Sequence, residues 1–341
     1  MEYRKLGNSG VIVTAYCLGT MTFGKESDEA TSFRIMDTYV EAGGNFLDTA
    51  DVYSDGASEE IIGRWLKGKQ LRDLVIATKG RFPMGDGSNH LGLSRKHLAE
   101  ALDASLRRLG VEQIDLYQLH AFDALTPIEE TLRFLDDAIT NGKIAYYGFS
   151  NFLGWQLTKA VWTARLNHYQ PPVTLQPQYN LLVRDIEHEV IPACQDAGMG
   201  LLPWSPLAGG WLSGKYKRDQ MPTGATRLGE NPNRGMEAFE ARNAQERTWQ
   251  VISAVQDLAE VRGISMAQVA LAWTAQKRAV TSVILGARTV DQLRDNLGAA
   301  SIRLDEAEMA KLDTASAPHI ADYPYGAGGN RQRNRKMEGG R

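Results

Sequence analysis

The sequence has little that would specify a disulfide framework, a nucleic-acid partner or a membrane segment. Its 341 residues include only two cysteines, Cys17 and Cys194, and no Cys-x-x-Cys pair, so we expect a reducing compartment. Lysine and arginine total 38 against 41 acidic residues, and this net charge of −3 lacks the basic excess that nucleic acid or anionic lipid attracts. No apolar run approaches the ~18 residues of a membrane span, and the polar N-terminus has no apolar targeting segment. We therefore expect a cytoplasmic protein that binds neither nucleic acid nor membrane.

Two common kinds of site each lack an essential residue. The six histidines contain no His-x-His pair, so we expect no metal ion, and a metal-dependent barrel hydrolase is disfavoured. The segment 209–215 reads Gly-x-x-x-x-Gly-Lys, but Tyr216 stands where a P-loop needs Ser or Thr for magnesium. A P-loop nucleotidase is therefore disfavoured as well.

Short runs rich in Val, Ile and Leu alternate with longer segments whose apolar residues recur every three or four positions. This alternation predicts an α/β protein, and about eight strand–helix pairs favour a closed (β/α)8 TIM barrel. A doubly wound sheet is the rival, but residues 19–24 do not read Gly-x-Gly-x-x-Gly after the first barrel strand. The clearest helices are predicted at 94–109 and 128–141. The predicted strands span residues 15–18, 45–47, 74–77, 114–119, 144–148, 174–176, 200–203 and 282–285.

Segments added to the barrel account for the length of the chain, so we expect residues 1–341 to form a single domain. The turn residues Gly7-Asn8-Ser9-Gly10 predict a hairpin that plugs the N-terminal end of the barrel. A basic run at 331–336, within the tail at 318–341, could cover the site or contact an anion, but is more typical of a solvated tail. The predicted additions are an N-terminal β-hairpin at 1–14, a long loop after strand 7 at 206–244, and a C-terminal helix and tail at 300–341.

Four polar residues follow predicted strands, at the end of the barrel where active sites lie. Asp48 and Tyr53 follow the second strand, Lys79 the third and His120 the fourth. A buried lysine needs a partner, which Asp48 supplies, and the ammonium is expected to lower the pKa of the Tyr53 phenol. Tyr53 would then act as a general acid and His120 would donate a second hydrogen bond to a carbonyl oxygen. This set predicts carbonyl reduction by hydride transfer, which requires a nicotinamide cofactor.

Residues after the later strands suit the nicotinamide end of such a cofactor. Ser150, Asn151 and Gln176 carry hydroxyl and amide groups that match a carboxamide, and Trp204 offers a flat face to a nicotinamide ring. Ordinary packing at the rim is the alternative interpretation of Trp204.

Two further segments suit the phosphates of the cofactor. Glycines in 209–215 expose backbone N–H groups, and Lys215 adds a cation, as a pyrophosphate requires. Arg288 stands at the start of the last predicted barrel helix, where it would favour a 2′-phosphate and hence NADP(H) over NAD(H). The polar residues of that helix that accompany it are Gln292, Asp295 and Asn296.

Taken together, these motifs resemble the aldo-keto reductase superfamily over roughly residues 3–317. Residues 46–53 resemble the segment that carries the family's catalytic Asp and Tyr. Residues 78–79 resemble the segment with its catalytic Lys, and residues 119–120 resemble the segment with its catalytic His. The segment 205–216 resembles the bacterial and potassium-channel β-subunit branches. The resemblance implies Asp48, Tyr53, Lys79 and His120 as catalytic residues. With the residue pattern, it implies that NADPH or NADP+ binds to Thr20, Met21, Asp48, Ser150, Asn151, Gln176, Trp204, Ser205, Pro206, Leu207, Gly209, Lys215, Gly286, Arg288, Gln292, Asp295 and Asn296.

We expect the substrate to be a small carbonyl compound, whose structure the residues leave open. Aromatic residues of the rim loops suit an aromatic or alicyclic ketone and equally a sugar stacked on ring faces. A cofactor-binding regulatory subunit with little turnover is the alternative function, and a monomer or weak homo-oligomer is expected because no long apolar seam stands out. The residues predicted to line the substrate pocket are Phe23, Phe82, Phe122, Phe152 and Trp211.

Overall fold

A computed structural model describes residues 1–333 and contains an eight-stranded parallel sheet. The last strand in the chain pairs with the first barrel strand, and the others pair in chain order. The strands are β1 (Tyr3–Lys5) and β2 (Ile12–Thr14), then, in the barrel, β3 (Tyr16–Gly19), β4 (Phe46–Asp48), β5 (Val75–Gly80), β6 (Ile114–Leu119), β7 (Ile144–Ser150), β8 (Thr174–Gln176), β9 (Gly200–Leu201) and β10 (Val283–Gly286).

Hydrogen bonds between the two ends of the strand order close the barrel. The Ile284 N–H donates to the Pro203 carbonyl at 3.0 Å, and Leu201 bridges to Val280 in parallel. The structure thus confirms the (β/α)8 TIM barrel, and the rival doubly wound sheet is wrong. β9 is shorter than the predicted 200–203 because Pro203 has no N–H to donate to the ladder.

Helices follow the strands and cover the outside of the sheet. Ser94 caps α3 by accepting from the His97 N–H, and Gly110 ends that helix in the left-handed region. The helices are α1 (Glu29–Glu41), α2 (Ala57–Leu66), α3 (Arg95–Leu109), α4 (Ile128–Thr140), α5 (Gly154–Leu166), α6 (Val190–Ala197), α7 (Arg227–Glu230), α8 (Phe239–Asn243), α9 (Glu246–Arg262), α10 (Met266–Ala275), α11 (Val290–Gly298), α12 (Glu306–Ala315) and α13 (Ala327–Arg333). No helix within residues 1–333 is long and apolar enough to cross a bilayer.

The antiparallel hairpin β1–β2 and its turn bury two apolar side chains against the barrel strands and leave Tyr3 and Ile12 exposed, in agreement with the predicted plug. Leu6 and Val13 are fully buried in one cluster with side chains from the barrel strands, including Phe46 and Leu116. Gly7 has φ +56°, and a Cβ there would lie 1.9 Å from the carbonyl oxygen of Val173. Only glycine fits this turn, because it tolerates the left-handed region and leaves room for the neighbouring strand.

Two long segments lie outside the barrel strands, the excursion after β9 and the C-terminal segment. The excursion holds a 3-10 helix at Ala208–Ser213, then α7, another 3-10 turn and α8 before the chain enters α9. The predicted terminal helix corresponds to α12, and α13 lies within the predicted tail. Residues 334–341, with the last part of the basic run 331–336, lie outside the described residues.

Candidate active site

The four polar residues predicted from the strand ends meet at the C-terminal mouth of the barrel. Asp48 ends β4, Tyr53 begins the 3-10 helix that follows, Lys79 lies in β5 and His120 follows β6. The Lys79 Nζ lies 2.6 Å from the Asp48 Oδ2 and 3.3 Å from the Tyr53 hydroxyl. Its third proton reaches the Thr49 carbonyl at 2.7 Å. The fully buried ammonium therefore holds the carboxylate and the phenol in one hydrogen-bonded group.

Two amide side chains complete the environment of the Asp48 carboxylate. Its Oδ1 accepts hydrogen bonds from the Gln118 Nε2 at 3.1 Å and the Gln176 Nε2 at 2.8 Å. Gln176, predicted to bind a carboxamide, thus also holds Asp48 in place. Gln118 was missed by the sequence reasoning, although a polar residue inside the buried strand β6 was a signal that could have found it.

The protonation state of Tyr53 follows from two opposed effects. Burial raises the pKa of the phenol above its ordinary value, and the Lys79 ammonium only partly offsets this. The expectation that Lys79 lowers the pKa overall is therefore wrong, because sequence reasoning counted the charge and not the loss of water. Tyr53 keeps its proton at neutral pH, and this protonated form can donate to a ligand.

His120 faces the same mouth as a neutral imidazole. Burial lowers its pKa well below the ordinary value, and the cations Lys79 and Arg81 add to the effect. Its Nδ1 has no hydrogen-bond partner among the described residues, and its ring lies edge-on to Tyr53 at 5.9 Å. Neutral imidazole carries one N–H, so His120 can donate a single hydrogen bond to an oxygen in the mouth.

A cavity of about 760 Å³ runs from this group of residues across the end of the barrel. Tyr53 and His120 line one end, and the polar ends of β10 and α11 line the other. All the residues predicted to bind the cofactor lie on its walls, namely Thr20, Met21, Asp48, Ser150, Asn151, Gln176, Trp204, Ser205, Pro206, Leu207, Gly209, Lys215, Gly286, Arg288, Gln292, Asp295 and Asn296. Residues 318–333 of the predicted tail are absent from these walls.

The loop after β9 turns sharply at its glycines. Gly209 and Gly210 have φ +65° and +103°, and the Gly209 N–H donates to the Ser205 Oγ at 3.1 Å. The Ser205 hydroxyl in turn donates to the buried carboxylate of Glu237 at 2.5 Å. A Cβ on Gly209 would lie 2.3 Å from the Glu237 Oε2, so the loop packs tightly on this carboxylate. Sequence reasoning missed Glu237, since nothing near it in the chain indicates that an acidic loop residue is buried.

At the far end of the cavity lies an arginine that is paired with a carboxylate. Arg288 precedes α11, and its backbone N–H donates to the Gln292 Oε1 at 2.9 Å. Asn296, one turn further along, donates from Nδ2 to the Gly286 carbonyl at 3.2 Å. The guanidinium of Arg288 forms an ion pair with Glu230 of α7. One cation and two amide side chains thus lie together where the sequence predicted a phosphate group, and the cation is already paired with a carboxylate.

Three of the five aromatic residues predicted to line a substrate pocket lie in the hydrophobic core. Phe23 and Trp211 are fully buried and Phe152 is 3% exposed, and none of the three is on the walls of the 760 Å³ cavity, so their contact with a substrate stays a prediction. Trp211 stacks on Phe239 at 5.4 Å and Phe152 on Phe149 at 4.4 Å, contacts that sequence spacing could not reveal.

The other two predicted aromatic residues lie near the mouth. Phe82 contacts the His120 ring edge-on at 4.6 Å, while Phe122 contacts the exposed ring of Trp155 at 5.6 Å. Neither is among the walls of the 760 Å³ cavity. No group of three or more potential metal ligands occurs within residues 1–333.

Comparison with known proteins assigns the chain to a family. A family model described as "Aldo/keto reductase family" matches residues 15–317. The chain belongs to the aldo/keto reductase family. The structure places Asp48, Tyr53, Lys79 and His120 of this aldo/keto reductase at the C-terminal mouth, where barrel enzymes carry out their chemistry.

Named relatives cover nearly the whole chain. A Bacillus subtilis (strain 168) protein named "Uncharacterized oxidoreductase YrpG" is 39% identical over 92% of this chain and 95% of its own. A "Probable voltage-gated potassium channel subunit beta" from Oryza sativa subsp. japonica is 36% identical over 89% and 92% of the two chains. The "Versiconal hemiacetal acetate reductase" of Aspergillus parasiticus is 34% identical over 93% and 98%. This aldo/keto reductase is accordingly an oxidoreductase that acts on carbonyl groups, in a family that generally uses NAD(P)H.

The cavity has the donors that a nicotinamide dinucleotide requires. Trp204 is held by a hydrogen bond of 3.1 Å from its Nε1 to the Asn151 Oδ1, beside the Ser150 hydroxyl. Lys215 and Arg288 also lie on the cavity walls, and the charge of Arg288 is paired with Glu230. The donor set thus fits an elongated ligand with a polar ring at the mouth and phosphates along the loop.

Proposed function

We propose that this protein reduces an aldehyde or ketone to an alcohol with NADPH as the hydride donor. The observation that carries the proposal is the Lys79 ammonium, which is buried between Asp48 and Tyr53 beside a cavity of about 760 Å³. The ammonium is fully buried, and its contacts with Asp48, the Thr49 carbonyl and the Tyr53 hydroxyl offset the loss of water.

Residues on the cavity walls would hold the cofactor in an extended form. Ser150, Asn151 and Gln176 would bind the carboxamide, with Trp204 against the ring. Ser205 and the Gly209 loop would hold the pyrophosphate with Lys215, and Thr20 and Met21 would line the ribose. Arg288, Gln292 and Asn296 would hold the adenosine end. Reduced nicotinamide supplies the hydride when bound.

The protein contributes a proton and a binding site for the carbonyl oxygen. The Tyr53 hydroxyl donates its proton to that oxygen as the carbonyl carbon receives the hydride, so the products are an alcohol and a phenolate. The Lys79 Nζ already donates to the Tyr53 oxygen and stabilises the negative charge left there. His120 donates a second hydrogen bond to the same carbonyl oxygen and orients it, and solvent returns the proton to Tyr53.

The decisive test follows loss of NADPH absorbance with a panel of aromatic aldehydes, alicyclic ketones and sugars, with NADH in parallel. Wild-type protein should turn over part of the panel, and Tyr53→Phe should lose at least about a hundredfold in kcat while binding NADPH as before. Tyr3→Phe, in the exposed part of the hairpin, is the matched control and should retain full activity. Activity in Tyr53→Phe equal to that of wild type would overturn the mechanism.

The same panel tests the alternative of a regulatory subunit. The 36% sequence identity to a probable potassium-channel β subunit favours this alternative. A protein of that kind would bind NADPH tightly and show negligible turnover with every carbonyl compound. The position of His120 on the cavity wall argues for an enzyme, because a cofactor sensor needs no second donor for a substrate oxygen.

A further inference from the structure

The arginine at the far end of the cavity is already bound by a carboxylate of the protein. The Arg288 Nη1 lies 2.6 Å from the Glu230 Oε1 and its Nη2 lies 3.0 Å from the Glu230 Oε2. A second carboxylate, Glu26, approaches the same Nη2 at 3.7 Å. The forked face of the guanidinium that would bind a phosphate is therefore occupied by the Glu230 carboxylate.

Glu230 belongs to the part of the excursion after β9 that forms a wall of the cavity. We call residues 223–237 the strap. Glu230 is the last residue of α7, and Arg227 of the same helix and its N-cap residue Thr226 line the cavity. A second ion pair, from the Arg234 Nη1 to the Glu26 Oε1 at 2.8 Å, joins the strap to the loop before α1. Glu26 and Arg288 thus anchor the strap from the barrel side.

We propose that Glu230 competes with the 2′-phosphate of NADP(H) for Arg288, so that NADP(H) must break the Arg288–Glu230 pair whereas NAD(H) binds with the pair intact. This inference rests on the proposed binding of a dinucleotide in the cavity. A phosphate dianion and the Glu230 carboxylate cannot both use the same fork of two N–H donors. Like charges this close also repel, which adds to the cost for the phosphorylated cofactor alone.

Glu230 therefore limits the preference for NADP(H) that Arg288 alone would give, and its displacement by the phosphate loosens one anchor of the strap. The side chain of Glu230 is 44% exposed, so the competition is partly screened by water. We expect its removal to tighten NADP+ binding by roughly fivefold and to change NAD+ binding by less than about twofold.

The experiment measures dissociation constants of NADP+, NAD+, 2′,5′-ADP and 5′-AMP by calorimetry for wild type and Glu230→Gln. The matched control is Glu240→Gln, which removes the same charge from the exposed face of α8. Glu230→Gln should tighten both 2′-phosphorylated ligands and leave NAD+ and 5′-AMP unchanged, and the control should change none of the four. In an Arg288→Gln background, the further change Glu230→Gln should tighten NADP+ binding less than it does when Arg288 is present, because only the repulsion between the two negative groups is then removed.

A second measurement follows hydrogen exchange in the strap. NADP+ should increase exchange of the α7 amides relative to NAD+ at saturation, because only NADP+ releases Glu230. Unchanged or weaker NADP+ binding in Glu230→Gln, or equal tightening of NADP+ and NAD+, would refute the competition while leaving the proposed function intact. Failure of wild-type protein to bind either dinucleotide would refute both.

Discussion

Asp51 is a buried carboxyl whose ionisation should weaken the fold as pH rises. It is fully buried two residues before Tyr53, and no side chain among the described residues donates a hydrogen bond to either carboxyl oxygen. Burial raises its pKa to about 7, and the Glu59 carboxylate adds to the rise. The Val52 amide and the cations Arg108 and Lys79 oppose it without cancelling it. The perturbation we consider is Asp51→Asn, which keeps the shape and removes the ionisation.

The sign follows from the two pKa values. The unfolded chain ionises near 3.8 and the folded chain near 7, so between these values the folded state holds the extra proton. The cost to folding is absent below about pH 4, grows through this window and is complete above about pH 7. A rise from 3.8 to about 7 corresponds to about 4 kcal/mol, of which about 3 kcal/mol develops between pH 4.5 and 8.

The assay compares urea unfolding of wild type and Asp51→Asn at pH 4.5 and 8. The buried amide of the variant adds a cost of its own, but this cost does not depend on pH and cancels between the two conditions. The stability of Asp51→Asn relative to wild type should therefore improve by about 3 kcal/mol from pH 4.5 to 8. Asp86→Asn, at an exposed aspartate, should show no such change. The reasoning would be refuted if the difference in unfolding free energy between Asp51→Asn and wild type changed by less than about 1 kcal/mol between the two pH values.

Three further substitutions test other parts of the molecule. Gly7→Ala should lower the free energy of unfolding by more than about 1 kcal/mol in urea titrations, because the new Cβ meets the Val173 carbonyl at a positive φ. Lys79→Met should lower it by about 3 to 5 kcal/mol through the unpaired Asp48 charge, and kcat by at least about a hundredfold in the NADPH assay. Gln118→Ala should lower the free energy of unfolding by about 1.5 to 3 kcal/mol, the range for a hydrogen bond to a charged group. An unchanged midpoint of urea unfolding would contradict the hydrogen bond between Gln118 and Asp48.

Periodicity in the chain predicted most of the fold because the two kinds of element differ in repeat. The runs at Ile114–Leu119 and Ile144–Ser150 are short and apolar, whereas Arg95–Leu109 repeats every three or four residues. Boundaries were less predictable where a single residue interrupts hydrogen bonding. Pro203 shortens β9 for this reason, although the apolar run continues past it.

The candidate site was predictable to the extent that its residues follow strands. Asp48, Lys79 and His120 stand at strand ends, and all parallel strands of a barrel bring those ends to one rim. Gln118 and Glu237 were missed because their roles depend on partners that are distant in the chain, Asp48 and Ser205 respectively.

The sequence by itself determined the alternation of strands and helices, the polar residues at the strand ends and the glycines of the loop after β9. Only the tertiary structure decided that Phe23 and Trp211 belong to the core. It also decided that burial outweighs the effect of the Lys79 charge on the pKa of Tyr53, and that the Arg288 guanidinium is paired with Glu230. Periodicity and spacing are local properties of a chain. Burial, solvation and competition for one guanidinium depend on which distant segments come together, and these are properties of the folded molecule alone.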